Sequence, residues 1–413
     1  MEGPTLAAFL GLPYPGRPMA IDTAPLRPPK PPRPTPVPRV RSDLIDRLAP
    51  EDVPMFWEQI AERLPLVEET ATPGEVVVTF CWRDAEAEQV LLFANRLTDE
   101  TDLDDTLLER LGDSDLWHAS FLMEADWRAS YSFLTKAPGE PAPWLAGDQA
   151  SVRAALDQGR LDPRNPETCV VRHGLPRSVA SMPQAPAQPW LAPREGTPTG
   201  TVTRQVAPDG RRLWVYDPPG VAEETALPLL VVLDGEVWLE MHDLPTTLDN
   251  MIDDAAVPPL RALFVDSVDH ATRWAELSAT GGGADLVDRL LPWVAERRGV
   301  LDGHVAVAGQ SLGGLTALRA ALRRPDLAAI SHSASLWQDD LAEEVARLAG
   351  HTARPRVVLG HGRQEWVLTE PHHDLARRLR DAGVEVEEAV YNGGHDYAWW
   401  RGAIADGLRT LWG

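Results

Sequence analysis

The sequence predicts an α/β protein in two parts: a smaller antiparallel β-domain, then a doubly wound, largely parallel sheet covered by helices. Three observations carry this expectation. Residues 75–134 hold four β-branched or aromatic runs, EVVVTFCWR, QVLLFANRL, LWHASFLM and WRASYSFL, separated by polar turns. From residue 227 onward continuous apolar runs such as LPLLVVLD take over, the pattern of strands buried on both faces. Amphipathic stretches lie between these later runs, and strands alternating with helices imply parallel βαβ units.

Taken in order, residues 1–40 form a proline-rich tail (RPPKPPRPTPVPR within it), read as extended polyproline. Residues 41–65 are predicted to be helical, with Ser42 as N-cap and a break near Pro50. The small β-domain is assigned to 41–150 and is sandwich-like in its strand spacing. Residues 151–200 are assigned to a surface linker, with a helix around 149–158. TVTRQVA and RRLWVYDP then flank Pro208-Asp209-Gly210 and read as a hairpin. The α/β domain is assigned to 201–413. Its buried strands are expected at 227–234, 261–268, 304–309, 355–362 and 384–392, with helices at 284–298, 312–324 and 370–382.

The chain has 413 residues, 39 basic and 62 acidic, for a net charge of −23. That charge excludes nucleic acid and anionic membrane as general partners. Two cysteines, Cys81 and Cys169, make neither a disulfide framework nor a zinc pattern, and they fit a reducing compartment. The N-terminus lacks a basic leader region, and no run approaches the ~18 apolar residues of a membrane span, so the expected location is the cytoplasm. No metal site made of protein ligands and no cofactor motif is visible; the oligomeric state stays open.

The chemistry begins at Gly309-Gln310-Ser311-Leu312-Gly313, a G-x-S-x-G between the strand HVAVAG and the helix LGGLTALRAALRR. That context makes Ser311 a nucleophile on the tight strand-to-helix turn of an α/β-hydrolase, flanked by small residues. The helix N-terminus directs the Leu312 N–H at a developing oxyanion. A serine needs a base, and the base needs an orienting acid. His395, in Gly393-Gly394-His395-Asp396 after the last strand, is the expected base; His332, His361, His372 and His373 are competitors, His361 at a strand end on pattern alone, and His304, at a strand start, is read as structural. The acid should follow the penultimate strand, which selects Glu365 over Asp374 and Asp396. The turn after LPLLVVLD is expected to supply the second oxyanion N–H, from the backbone of Gly235 and Glu236.

At this point the chain resembles the enterochelin esterase family of siderophore hydrolases. VVVTFCWRD, ANRL and WRASYSF are similar to its N-terminal domain, LDPRNP (161–166) to its linker, and LLVVLDGEVW, DSVDHATRWAEL, VAVAGQSLGGLTAL and NGGHDYAWWRGAIADGLRTLW to its catalytic domain. The resemblance implies hydrolysis of ester bonds in an iron-loaded catecholate trilactone, a small-molecule substrate that carries the iron itself. It also supports Ser311, His395 and Glu365, and it points to Arg273, Trp399, Trp400 and Arg401 as substrate-binding residues; the alternative for these four is a structural role. The chain departs from the family pattern in SATGGGADL (278–286) and in the order Arg363-Gln364-Glu365. Two other readings remain in view: a general carboxylesterase or acyltransferase on this fold, and a non-catalytic binder of a ferric siderophore.

Overall fold

The computed structural model of the protein describes residues 36–145, 147–171 and 174–413. The polyproline expectation falls mainly on residues 1–35, outside the described residues. Ser42 caps a short helix, Asp43–Asp46, by accepting from the Ile45 N–H, and a second helix, Val53–Ile60, follows a turn at Pro50.

The first half builds eight strands: β1 (Leu66–Glu69), β2 (Glu75–Arg83), β3 (Gln89–Ala94), β4 (Glu109–Arg110), β5 (Leu116–Glu124), β6 (Arg128–Lys136), β7 (Thr168–Val170) and β8 (Pro176–Ser181). They form two four-stranded antiparallel sheets, ordered β1-β2-β5-β4 and β3-β6-β8-β7. The period-two pattern sets their inner faces. Val76, Val78, Phe80 and Trp82 of β2 share one buried cluster with Val90, Leu92 and Ala94 of β3 and Ala129, Tyr131 and Phe133 of β6. Phe80 meets Tyr131 edge to face at 5.0 Å between ring centres.

The linker expected over 151–200 is therefore partly strand, because β7 and β8 complete the second sheet, with Arg128 opposite Ser181 and Thr168 opposite Ser178. Runs as short as TCV and PRSVAS carry little strand pattern of their own, and the ladder in which β8 pairs with β6 and β7 with β8 holds them in place. The expected helix is present at Gln149–Leu156.

The second half is a single eight-stranded sheet of β9 (Thr201–Val206), β10 (Arg212–Asp217), β11 (Leu227–Leu233), β12 (Arg261–Val265), β13 (Val300–Gln310), β14 (Leu327–His332), β15 (Arg356–Gly362) and β16 (Glu385–Tyr391). Its order is β16-β15-β14-β13-β11-β12-β10-β9. The six strands from β11 to β16 run parallel, while β10 and β9 add the predicted antiparallel hairpin at one edge. Strand β14 is the addition to the expected set. Its sequence LAAISH lacks the β-branched density that marks its neighbours, and its two flanking partners hold it in place.

Every residue of β11 is buried, and its side chains alternate between two cores. Leu229, Val231 and Leu233 join the layer under helices Gly283–Ala295, Leu312–Arg323 and Trp366–Asp381. Leu230 and Val232 join the layer under Leu244–Asp253 and Tyr397–Trp412. Parallel strands place all their C-terminal ends along one edge, where open α/β sheets build their sites.

Candidate active site

Four consecutive neighbours, β13 to β16, end side by side: Gln310 is opposite His332, His332 opposite Gly360, and Gly362 opposite Tyr391. Adjacent strands are about 4.8 Å apart, so the loops that follow them share one small volume. Those loops carry Ser311, Ser333 and Ser335, Glu365, and His395.

Ser311 has φ 58° and ψ −118°, a strained conformation for a residue with a side chain. The turn is clamped by its surroundings: the Ser311 N–H donates to His332 O at 2.9 Å, and Ser335 N–H donates to Ser311 O at 3.0 Å. A Cβ on Gly309 would lie 2.4 Å from the carbonyl carbon of Gly313, so only glycine fits there. Gly313 is less tightly placed, since a Cβ there would meet its neighbours at an ordinary 3.5 Å; the second tight position is Gly314, where a Cβ would lie 2.9 Å from His332 O. Ser311 Oγ lies 3.4 Å from Ser335 Oγ. Leu312, the first residue of the following helix, has an N–H with no acceptor inside that helix.

Of the three carboxylates considered, Glu365 is the one bonded to the histidine: His395 Nδ1 and Glu365 Oε1 are 2.6 Å apart. Burial favours a neutral Glu365, but the His395 bond and charge, the Ser333 hydroxyl (2.6 Å) and the Gly362 N–H (2.8 Å) outweigh it and hold its pKa at about 2. Asp396 instead caps helix Tyr397–Trp412 through the Ala398 N–H and accepts from Ser130 N–H at 2.7 Å. Asp374 pairs with Arg377 and Arg378 on its own helix. Of the competing histidines, His361 and His372 are buried away from Glu365's carboxylate hydrogen bonds, and burial pushes both below the usual imidazole value.

Behind Ser311 lies a buried polar network. Gln310 Nε2 donates to Asp234 Oδ2 (3.0 Å) and to Tyr397 Oη (3.1 Å), and its Oε1 accepts from Trp238 Nε1 at 3.0 Å. Asp234, at φ 56°, starts helix Gly235–Glu240. The N–H groups of Val237 and Trp238 already serve Asp234 O, which leaves Gly235 and Glu236 at the open start of the helix. Gly235 is pressed against β12, where a Cβ would lie 2.4 Å from Val265 N. The Glu236 carboxylate accepts from the Ser267 N–H and hydroxyl, tying the same turn to the loop after β12.

The four residues singled out for substrate binding have other partners. Arg273 grips Asp234 with two bonds, 2.6 and 2.8 Å, so its charge is neutralised beside Gly235. The Arg401 guanidinium is held by Glu167 (2.6 Å), Thr168 O (2.7 Å) and Gln188 (3.1 Å), joining the two halves of the chain. Trp399 donates its Nε1 to Arg128 O at 2.7 Å, and its ring is stacked on Tyr391. Trp400 does reach the site: its ring meets His395 edge to face at 4.7 Å, and its Nε1 donates to Ser333 and Tyr391.

The sandwich grips this edge directly, and the sequence held no signal for it. Asn95 Nδ2 donates to His395 O at 3.0 Å, and the Arg128 N–H donates to Asn392 O at 3.1 Å. Arg363, two residues before the acid, pairs with Glu124 and Asp126, and Trp127 Nε1 reaches Gln364. Among the described residues no cluster of His, Cys, Asp and Glu is arranged to hold a metal, and no helix is long and apolar enough to cross a membrane.

Comparison with known proteins agrees with this architecture. Residues 77–191 match the family described as enterochelin esterase, N-terminal, and residues 206–411 match the esterase family. The chain is 32% identical to the iron(III) enterobactin esterase of Dickeya dadantii (strain 3937), over 86% of this chain and 92% of that one. It is 33% identical to the iron(III) salmochelin esterase of Escherichia coli O6:H1, over 87% and 93%. The crystal structure of the enterobactin esterase from Shigella flexneri in the presence of enterobactin superposes with a TM-score of 0.72 at 26% identity, over 87% of this chain and 97% of that one. With its sandwich, its α/β-hydrolase sheet and relatives aligned over nearly their whole length, this chain belongs to the enterochelin esterase family and is a hydrolase of the esterase type.

Proposed function

We propose that the chain is a serine esterase that opens the ester bonds of a ferric catecholate trilactone resembling enterobactin, and so releases its iron in the cytoplasm. The observation that carries the mechanism is the Glu365–His395 pair, 2.6 Å apart, on the same sheet edge as the strained Ser311 turn. Ser311 Oγ attacks the ester carbonyl while His395 Nε2 accepts its proton. Glu365, ionised and buried, fixes the His395 tautomer through Nδ1 and stabilises the imidazolium. The tetrahedral oxyanion is held by the N–H of Leu312 and by those of Gly235 or Glu236. His395 then protonates the departing alcohol, a serine hydroxyl of the lactone, and water attacks the acyl-enzyme by the same route.

The substrate class is supported by the names of the relatives, which are enterobactin and salmochelin esterases, and by the alignment over both halves of the chain. No resident cofactor enters the reaction; iron arrives chelated by the substrate. Two buried, unpaired cysteines suit the reducing cytoplasm. Incubation with iron-loaded and iron-free enterobactin, followed by mass spectrometry, tests the reading. Linear trimer, dimer and monomer of the acylated serine are expected. Failure to open the trilactone, with turnover of simple aryl esters only, would leave a general carboxylesterase.

A further inference from the structure

The proposed substrate is an anion, and the chain carries a net charge of −23, so capture requires a local cation. The arginines nearest the site are mostly neutralised. Arg273 is bound to Asp234, Arg363 to Glu124 and Asp126, and Arg401 to Glu167. Arg96 is different. Among the described residues its guanidinium has no carboxylate partner; it lies over the ring of Trp366, 5.7 Å from the ring centre. Trp366 follows Glu365 directly, and Arg96 packs against the histidine loop so closely that a Cβ on Gly394 would lie 2.1 Å from its Cγ.

The position is built rather than incidental. The turn after β3 is closed by Thr98, whose N–H donates to Ala94 O and whose hydroxyl accepts from the Ala94 N–H. Arg96 sits in it at φ 63°, in the left-handed region that side chains seldom adopt. Its neighbour Asn95 is tied to His395 O, so this turn places the arginine at a fixed point beside the base. Both Arg96 and Trp366 are half-buried, with surface left for a ligand. A guanidinium beside an indole suits a flat, anionic catecholate ring, offering donors to oxygen and a face for stacking.

We infer that Arg96, supplied by the sandwich rather than by the catalytic sheet, binds a catecholate arm of the anionic ferric substrate and sets the preference for it. The inference rests on the siderophore reading above. The test uses the full-length enzyme and its R96Q and R96K variants, with iron-loaded enterobactin and the uncharged p-nitrophenyl butyrate as substrates. Rates are normalised to active sites titrated with a fluorophosphonate. R96Q is expected to lose about tenfold or more in kcat/KM on the ferric substrate, mainly through KM, as loss of a charge-assisted contact does. That loss should exceed the loss on the neutral ester by at least about fivefold, and kcat/KM of R96Q should fall less steeply with added salt. R96K should recover part of the ferric activity. Equal losses on the two substrates, or none on either, would overturn the role of Arg96 alone. An unsubstituted enzyme that leaves ferric enterobactin intact would overturn the siderophore reading, and this inference with it.

Discussion

Asn95 donates its side-chain amide to the backbone carbonyl of His395, 300 residues later in the chain, at 3.0 Å. A residue of the sandwich thus fixes the loop that carries His395, the proposed base. Asn95→Ala removes that donor and leaves the loop free to drift, and small misplacements of a catalytic group are costly. We expect a drop in kcat of about tenfold, with similar loss on charged and neutral esters. Steady-state kinetics on both substrates checks this, and a wild-type kcat would show that the loop holds itself.

Ser311→Ala should lower kcat by roughly 10⁶ while leaving the fold intact, and His395→Ala should cost about as much, because the two act as a unit. Glu365→Gln should cost less, since serine and base remain. Circular dichroism establishes folding, and fluorophosphonate labelling, read by intact mass, should vanish in the serine variant. Retention of activity within tenfold by Ser311→Ala would refute the assignment.

Folding holds Glu365 at about 2 against an ordinary 4.5, so its contribution to stability is complete above 4.5 and is lost as the pH falls toward 2. The size is about 3 kcal/mol at neutral pH. The gap in unfolding free energy between wild type and Glu365→Gln should therefore narrow as pH drops from 7 to 2.5. Urea unfolding across that range checks it; a gap that widens in acid would mean the buried acid is neutral in the folded state.

Arg401→Gln should weaken the junction rather than the chemistry, because its partners Glu167, Thr168 and Gln188 all lie before the catalytic sheet. Loss of its bonds to a charged and two neutral partners predicts a destabilisation of about 1–3 kcal/mol. Chemical denaturation measures it. A selective loss of activity on the ferric substrate, with stability unchanged, would return Arg401 to the pocket.

The parallel sheet was readable because β11, β12 and β15 are continuous apolar runs, and the Ser311 turn because a small-residue motif stood between a strand and a helix. β14 escaped because Ala and Ser make up half of it, and β8 because its partner β6 lies far earlier in the chain, Arg128 facing Ser181, with β7 then pairing on β8. The placement of Glu365 by strand order was accessible, while its support Ser333, and Tyr391 at the end of β16 behind it, are brought near it only by the folded sheet. For the arginines, sequence shows which residues carry charge but not which carboxylate each one meets: the Glu167 partner of Arg401 lies 234 positions earlier.

The grip of the sandwich on the acid and histidine loops also bears on how such proteins can be recombined. A chimaera that joined this C-terminal sheet to the sandwich of a distant relative would import a foreign turn at 94–98 and a foreign β5–β6 connection at 124–130, and with them a foreign seat for His395. The natural unit of exchange is therefore the whole chain from β1 to the last helix, and a graft that respects only the apparent boundary near residue 200 would assemble two sound folds around a misaligned base.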